Sequence, residues 1–297
     1  MRRASRLHSW DVFAYEPLPN RLRPSDLALG RLSKAYIDRL CLMDDTFFNV
    51  CMDGYIAGMA CILRIILALP ELIVERVTVQ ETTENLYGRG VRFDAFVRAG
   101  KRRMNVEVQR DERGAQPERA RFNSSMMDAR ELQKGEVVKE LPETYVIFIM
   151  EKDVFGKGLP IYHVRRMIEE TGEPFGDRTH IIYVNGEIQD ETPLGRLMHD
   201  FFCQDAETMY YEELKQRAGF FKNEERGRVQ MCKIMDEIRQ AGFEHGMERG
   251  MKRGMERDRL ESLRTIMQTM KLSEEEAMNA LLIPLEKRAK YKALLAQ

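Results

Sequence analysis

Three residues of the segment RFDAFVRAGKRRMNVEVQ (92–109) have types and spacing suited to chemistry: Asp94, Glu107 and Gln109. Taking Gly100–Lys101 as a two-residue hairpin turn, with Gly first as type II′ prefers, pairs Phe96 with Asn105 and Asp94 with Glu107. Side chains alternate along a strand. Arg92, Asp94 and Phe96 therefore share a face with Asn105, Glu107 and Gln109, while Phe93, Ala95, Val97, Met104, Val106 and Val108 form the opposite, apolar face. Directly opposed residues have Cβ atoms about 4.5–5.5 Å apart. Two carboxylates at that distance repel unless they share a proton or clasp a cation. Oxygen ligands with open positions suit Mg²⁺, which keeps several waters and takes one or two carboxylates.

Two readings of the pair stay open on this geometry: a metal clasp, or a solvated sheet face whose acids are neutralised by neighbouring arginines. The surroundings bear on the choice. Arg89, Arg92, Arg98, Lys101, Arg102, Arg103, Arg110, Arg113, Arg119 and Arg121 stand against Asp94, Glu107, Asp111, Glu112 and Glu118, a local surplus of five positive charges in a chain of net charge −1. Phosphodiester chemistry uses such a field: basic groups hold the backbone, while a metal polarises phosphate and acidifies water. A metal-storage site gains nothing from it.

The elements that must position these residues follow from pattern. Residues 1–30, with three prolines, are expected as a poorly ordered leader. A helical pattern from Leu32 to Leu69 ends at Pro70. Strands are expected at 72–80, 91–97, 103–109, 144–150 and 179–186, and a helix at 117–135, with Pro117 suited to its first turn. Residues 160–172 are expected as a short strand or turn followed by a helix, and 194–202 as a helix. Helix, three strands, helix, strand describes an α/β domain (α+β, with a mixed sheet) over 31–222. Beyond it, 223–297 reads as a helical extension. There Gly242, Gly246, Gly250 and Gly254 recur every four residues, with Met247, Met251 and Met255 in the same step. Either a self-association face, giving a homodimer, or a solvated linker helix accounts for that stripe.

Composition narrows the function classes. At 43% hydrophobic and 32% charged residues, the chain has material for a core and no mark of wholesale disorder. The five cysteines lack CxxC spacing, so neither a zinc site nor a disulfide frame is expected. The most apolar stretch, 55–74, is interrupted by Arg64, Pro70 and Glu71, too broken for a membrane span. No apolar run follows the basic N-terminus, and a cytoplasmic protein is expected. The five histidines show no ligand spacing, GRGVRF (88–93) lacks the third glycine of a dinucleotide loop, and GKGLP (156–160) lacks a P-loop's Ser/Thr.

Several stretches in order carry a resemblance: LMDDTFFNV (42–50), LRIIL (63–67), NLYGRGVRFDAF (85–96), NVEVQRDERG (105–114), ERARFNSSMMDA (118–129), LPETYVIFIMEKDVFGKGLPIYHV (141–164), HIIYVNG (180–186) and RLMHDF (196–201). Over about 38–255 the chain resembles the PD-(D/E)XK nuclease family transposases, also called recombination-promoting nucleases. The resemblance implies a restriction-endonuclease-like αβββαβ core and a Mg²⁺-dependent DNA endonuclease, with Mn²⁺ able to substitute. Asp94 falls at the motif Asp, Glu107 at the (D/E) position and Gln109 at the Lys position. Asp44 or Asp45 matches a further metal-binding acid. Gln109 is a departure: a neutral amide orients water but brings no charge, which Arg92 is expected to supply. Arg92, Arg119 and Arg121 are candidate phosphate contacts, although Arg119 and Arg121 equally suit the wet face of their helix. The alternative function is a catalytically inactive DNA-binding or scaffolding protein on the same fold.

Overall fold

The computed structural model describes residues 34–85, 88–132 and 134–295, so the expected leader lies outside the described residues. The helical pattern before Pro70 resolves into three helices: α1 (Lys34–Arg39), α2 (Asp45–Met52) and α3 (Ile56–Leu67). Asp44 breaks the first junction by turning its carboxylate back onto the Cys41 N–H, which donates at 2.8 Å. Gly54, at φ +64°, breaks the second, as glycine can. α3 stops at a left-handed Ala68, two residues before Pro70.

Six strands follow in one mixed sheet: β1 (Arg76–Thr83), β2 (Val91–Ala99) and β3 (Arg102–Gln109), then, after helix α4 (Pro117–Glu131), β4 (Glu143–Met150), β5 (Ile161–Val164) and β6 (Thr179–Asn185). The spatial order is β1-β2-β3-β4-β6-β5. β1, β2 and β3 are antiparallel neighbours, β3 and β4 are parallel, and so are β4 and β6, while β5 closes the edge antiparallel to β6. The architecture is the α/β mixed sheet expected from the sequence, with α4 as the crossover between parallel β3 and β4. Two local expectations fail. β1 begins at Arg76, because Leu72 is held in a turn, its N–H on Leu69 O and its carbonyl accepting from Arg64 Nε. No helix follows β5, since Pro174 and a positive-φ Gly172 instead close a small turn in which Met167 bridges Pro174.

Helices cover both faces of the sheet. α2 and α3 pack on one side and α4 on the other. Phe93, Phe96, Ala120, Met127, Val146, Phe148 and Tyr183 form a buried cluster. A solvated polar face is therefore absent: Asn105 and Glu107 have no exposed surface and Phe96 is 2% exposed. The cover is pinned at the C-terminal end of α4. Glu131 there accepts from Arg98 (2.9 Å) and Arg103 (2.6 Å), and the Arg130 guanidinium lies 4.6 Å from the Phe96 ring centre.

Three helices run on from the sheet domain: α5 (Pro193–Phe202), α6 (Glu212–Asn223) and the long α7 (Glu225–Met270), followed by α8 (Glu274–Ala280) and α9 (Leu285–Leu295). Lys222 of α6 is buried, and its Nζ donates to the carbonyls of Asp38, Leu40 and Gln204, fixing the turn that leads into α2. The described residues divide into compact units before and after Asp236. In the second, the end of α7 with α8 and α9 buries Leu263, Ala277, Met278, Ile283 and Tyr291. The expected Ser273–Glu276 capping box is formed. Along α7, Phe243, Met247, Met251 and Met255 stay exposed. No single helix among the described residues is long and apolar enough to cross a membrane.

The anchoring of α4 makes a first test. Removing Glu131 leaves Arg103, a largely buried partner, without its carboxylate. Glu131→Ala is expected to lower stability by about 1–3 kcal/mol, read from urea unfolding. An unchanged midpoint would mean that α4 is held by its apolar contacts alone.

Candidate active site

The hairpin forms in the expected register. Gly100 takes φ +57° in the turn, and Phe96 pairs with Asn105. Pairing with β3 stops at Ala95–Val106, one step short of Asp94 and Glu107. On the other side of β2 the ladder with β1 skips the same level: Val79 pairs with Ala95 and Glu81 with Phe93, while Gln80 between them adopts φ +53°. Asp94 thus sits at an interruption of the sheet on both sides. Alternation breaks with it, for the rings of Phe93 and Phe96 meet at 5.5 Å in one cluster, where strict alternation would set them on opposite faces.

Glu107 is enclosed by donors. Asn105 Nδ2 donates to its Oε1 at 2.9 Å and Asn123 Nδ2 at 3.3 Å. Arg119 reaches Oε2 at 2.7 Å, and Gln109 Nε2 approaches the same oxygen at a long 3.5 Å. Arg119 and Asn123 are four residues apart on α4 and so share the face turned to the sheet. Arg121 lies about 200° around the helix from Arg119; it is exposed and is not brought to the carboxylates. Gln109 is fixed from behind. A Cβ on Gly114, in the 3-10 turn Glu112–Ala115, would lie 1.9 Å from Gln109 Oε1, so only glycine leaves the amide its place.

Asp94 is 7% exposed, and its Oδ2 is buried with no hydrogen-bond partner. Burial, then the charge of Glu107, then that of Asp45, raise its carboxyl well above the usual carboxylate range, while Arg119 and Arg92 pull the other way. The two remaining candidate acids part company here. Asp44 is engaged by Arg110 at 3.0 Å and by the Cys41 N–H. Asp45, at the first turn of α2, accepts from Asn49 and is the acid whose charge reaches Asp94. Arg110 directly follows Gln109 in sequence, and it also bonds Glu151 and the Met43 carbonyl, tying the end of β3 to the start of α2.

Sequence reasoning passed over Asn123 and Gly114, counted Arg110 only among the basic charges, and treated Asn105 only as a face residue. The i, i+4 spacing of Arg119 and Asn123 was the one available signal for the α4 contact. Among the described residues no group of three His, Cys, Asp or Glu side chains gathers as a metal cluster. The donor set fits a hard cation nevertheless: two neighbouring buried carboxylates, one oxygen without a donor, and no soft ligand.

The sign of the Asp94 effect is testable. An acid whose folded pKa is raised binds its proton more tightly in the native state, so stability falls as pH climbs from the unfolded value of about 3.9 toward the folded one. In metal-free buffer the wild type is expected to lose stability relative to Asp94→Asn as pH rises above about 4. For a domain of this size each 1 kcal/mol moves the melting midpoint by about 2–4 °C. A gap between the two proteins that does not change with pH would refute the burial and repulsion assigned to Asp94.

No curated protein and no solved structure matches the chain significantly. One family model does match, from residue 70 to residue 191, a span that runs from just before β1 to just before α5 and leaves out Asp44, Asp45 and the Gly-Met tail. Over that segment, which holds Asp94, Glu107, Gln109 and Arg119, the resemblance read from the sequence stands: residues 70–191 match the PD-(D/E)XK nuclease family transposases.

Proposed function

We propose that this chain is a metal-dependent DNA endonuclease that hydrolyses phosphodiester bonds, acting in recombination or in the movement of a mobile element. The observation that carries this reading is the buried Asp94–Glu107 pair, with Asp94 Oδ2 lacking a donor, inside the most basic segment of the chain. Asp94 and Glu107 would hold Mg²⁺, or Mn²⁺ in its place, with Asp45 adding negative charge from α2. When bound, the ion supplies Lewis acidity toward phosphate and lowers the pKa of water. Asn105, Asn123 and Arg119 keep Glu107 in one orientation. Gln109, held between Gly114 and Glu107, orients the attacking water through its amide. Arg92 contributes the positive charge that the amide lacks. Arg92 and the exposed Arg121 hold the DNA backbone electrostatically, while Arg119 spends its charge on Glu107. Five cysteines present as thiols rather than as disulfides agree with a cytoplasmic place.

Supercoiled plasmid incubated with Mg²⁺ is expected to be nicked or linearised by the wild type, and Asp94→Ala to fall by more than about 100-fold, since even outer residues of metal sites cost 10–100-fold. Plasmid that is bound but left intact by the wild type would favour the silent DNA-binding alternative.

The second proposed feature is a homodimer through α7. Gly246, Gly250 and Gly254 have nothing within 4 Å of an added Cβ, and Phe243, Met247, Met251 and Met255 expose an apolar row beside them. Each interior glycine costs about 1 kcal/mol against alanine, which close packing by a second copy offsets, with methionine filling the gaps. Sedimentation of the full chain at micromolar concentration is expected to give a dimer that Met251→Glu weakens at least about tenfold, or 1.4 kcal/mol. A monomeric wild type makes the stripe a linker.

A further inference from the structure

Three oxygens in the layer around Glu107 are buried and accept no hydrogen bond: Asp94 Oδ2, Asn105 Oδ1 and Asn123 Oδ1. The two amides cannot turn over to relieve this. Each donates from Nδ2 to Glu107 Oε1, and a flip would set a carbonyl oxygen against a carboxylate. A buried acceptor left without a donor opposes folding, so three in one layer call for donors from outside the chain. An anion or an apolar ligand brings none. The waters of a hydrated cation are strong donors, and Mg²⁺ keeps several of them.

We propose that Asn123 is a further residue of the metal site, its Nδ2 fixing Glu107 while its Oδ1 accepts from a water of the cation's shell. Asn105 does the same from β3. The inference rests on the metal reading of Asp94 and Glu107 and adds to it a side chain from α4, which lies on a different element from both carboxylates. Asn123 is 1% exposed and no other acceptor role is open to its Oδ1 among the described residues. It is a positioning residue, acting on the ion through Glu107 and through water.

The test is Mn²⁺ titration of the full-length chain, with free Mn²⁺ followed by electron paramagnetic resonance and no DNA present. Asn123→Ala removes both functions and is expected to weaken binding by about 10–100-fold. Asn123→Asp returns an acceptor and adds charge, and is expected to bind at or above wild-type affinity while melting lower in metal-free buffer. Wild-type affinity in Asn123→Ala overturns the proposal. So does an equal loss in both variants, which would leave only the Nδ2 contact to Glu107. Should Asn123→Ala fail to fold, Asn123→Asp against wild type decides: retained affinity supports the role of Oδ1, and weakened affinity in the folded protein removes it. If the wild type itself binds no Mn²⁺, the metal reading of Asp94 and Glu107 falls together with this one; if it binds and is indifferent to residue 123, only the role of Asn123 falls.

Discussion

Two carboxylates placed side by side out of water oppose folding twice, once through lost hydration and once through mutual repulsion. Asp94 and Glu107 are in that position, and much of the surrounding structure answers to it. Glu107 is supplied with donors from three sides: Asn105 on its own strand, Asn123 and Arg119 on α4. Asp94 is not supplied in that way, and its Oδ2 stays without a donor. The asymmetry matters chemically. One acid is held in one orientation by its donors, while the other is left with an oxygen that no donor reaches.

The scaffold serves that pair by fixing three separate elements around it. The hairpin delivers both acids and then stops pairing at their level, where Gln80 breaks the ladder on the β1 side. α4 is clamped over the hairpin through Glu131 and Arg130, so that Arg119 and Asn123 reach Glu107. Arg110 joins the end of β3 to the turn before α2, whose first residue is Asp45. Each link is polar and long-range. That explains why a domain with an ordinary apolar core spends so many arginines on internal contacts.

How much of this could be read in advance depended on how local the determinant was. The hairpin register followed from Gly100 and a period of two, and it holds for every pair from Ala95–Val106 to Ala99–Arg102. Strand β4 was legible from the β-branched and aromatic richness of TYVIFIM (144–150), and the Ser273–Glu276 box as four consecutive residues. The burial of the polar face was not legible. α4 has a polar composition and only a thin apolar strip around Ala120, Met126 and Met127, so by pattern it looks like a solvated helix. What docks it is a set of ion pairs and one cation–π contact between residues about 30 positions apart in sequence or more. The different surroundings of Asp44 and Asp45 depend likewise on Arg110, 66 residues downstream of Asp44. The interruption at Asp94 left no mark in the pattern at all, because Gln80 is not a residue type that announces a left-handed conformation.

In the proposed site the Asp94–Glu107 pair exchanges a proton for a metal ion. Calorimetric titration of the full chain with Mg²⁺ or Mn²⁺, repeated in buffers of different ionisation enthalpy, counts the protons released per ion bound. The proposed site is expected to bind the ion with proton release that grows as the pH is lowered toward the raised pKa of Asp94, and Asp94→Asn to lose both. Binding with no proton release at any pH, or undiminished binding by Asp94→Asn, would contradict it.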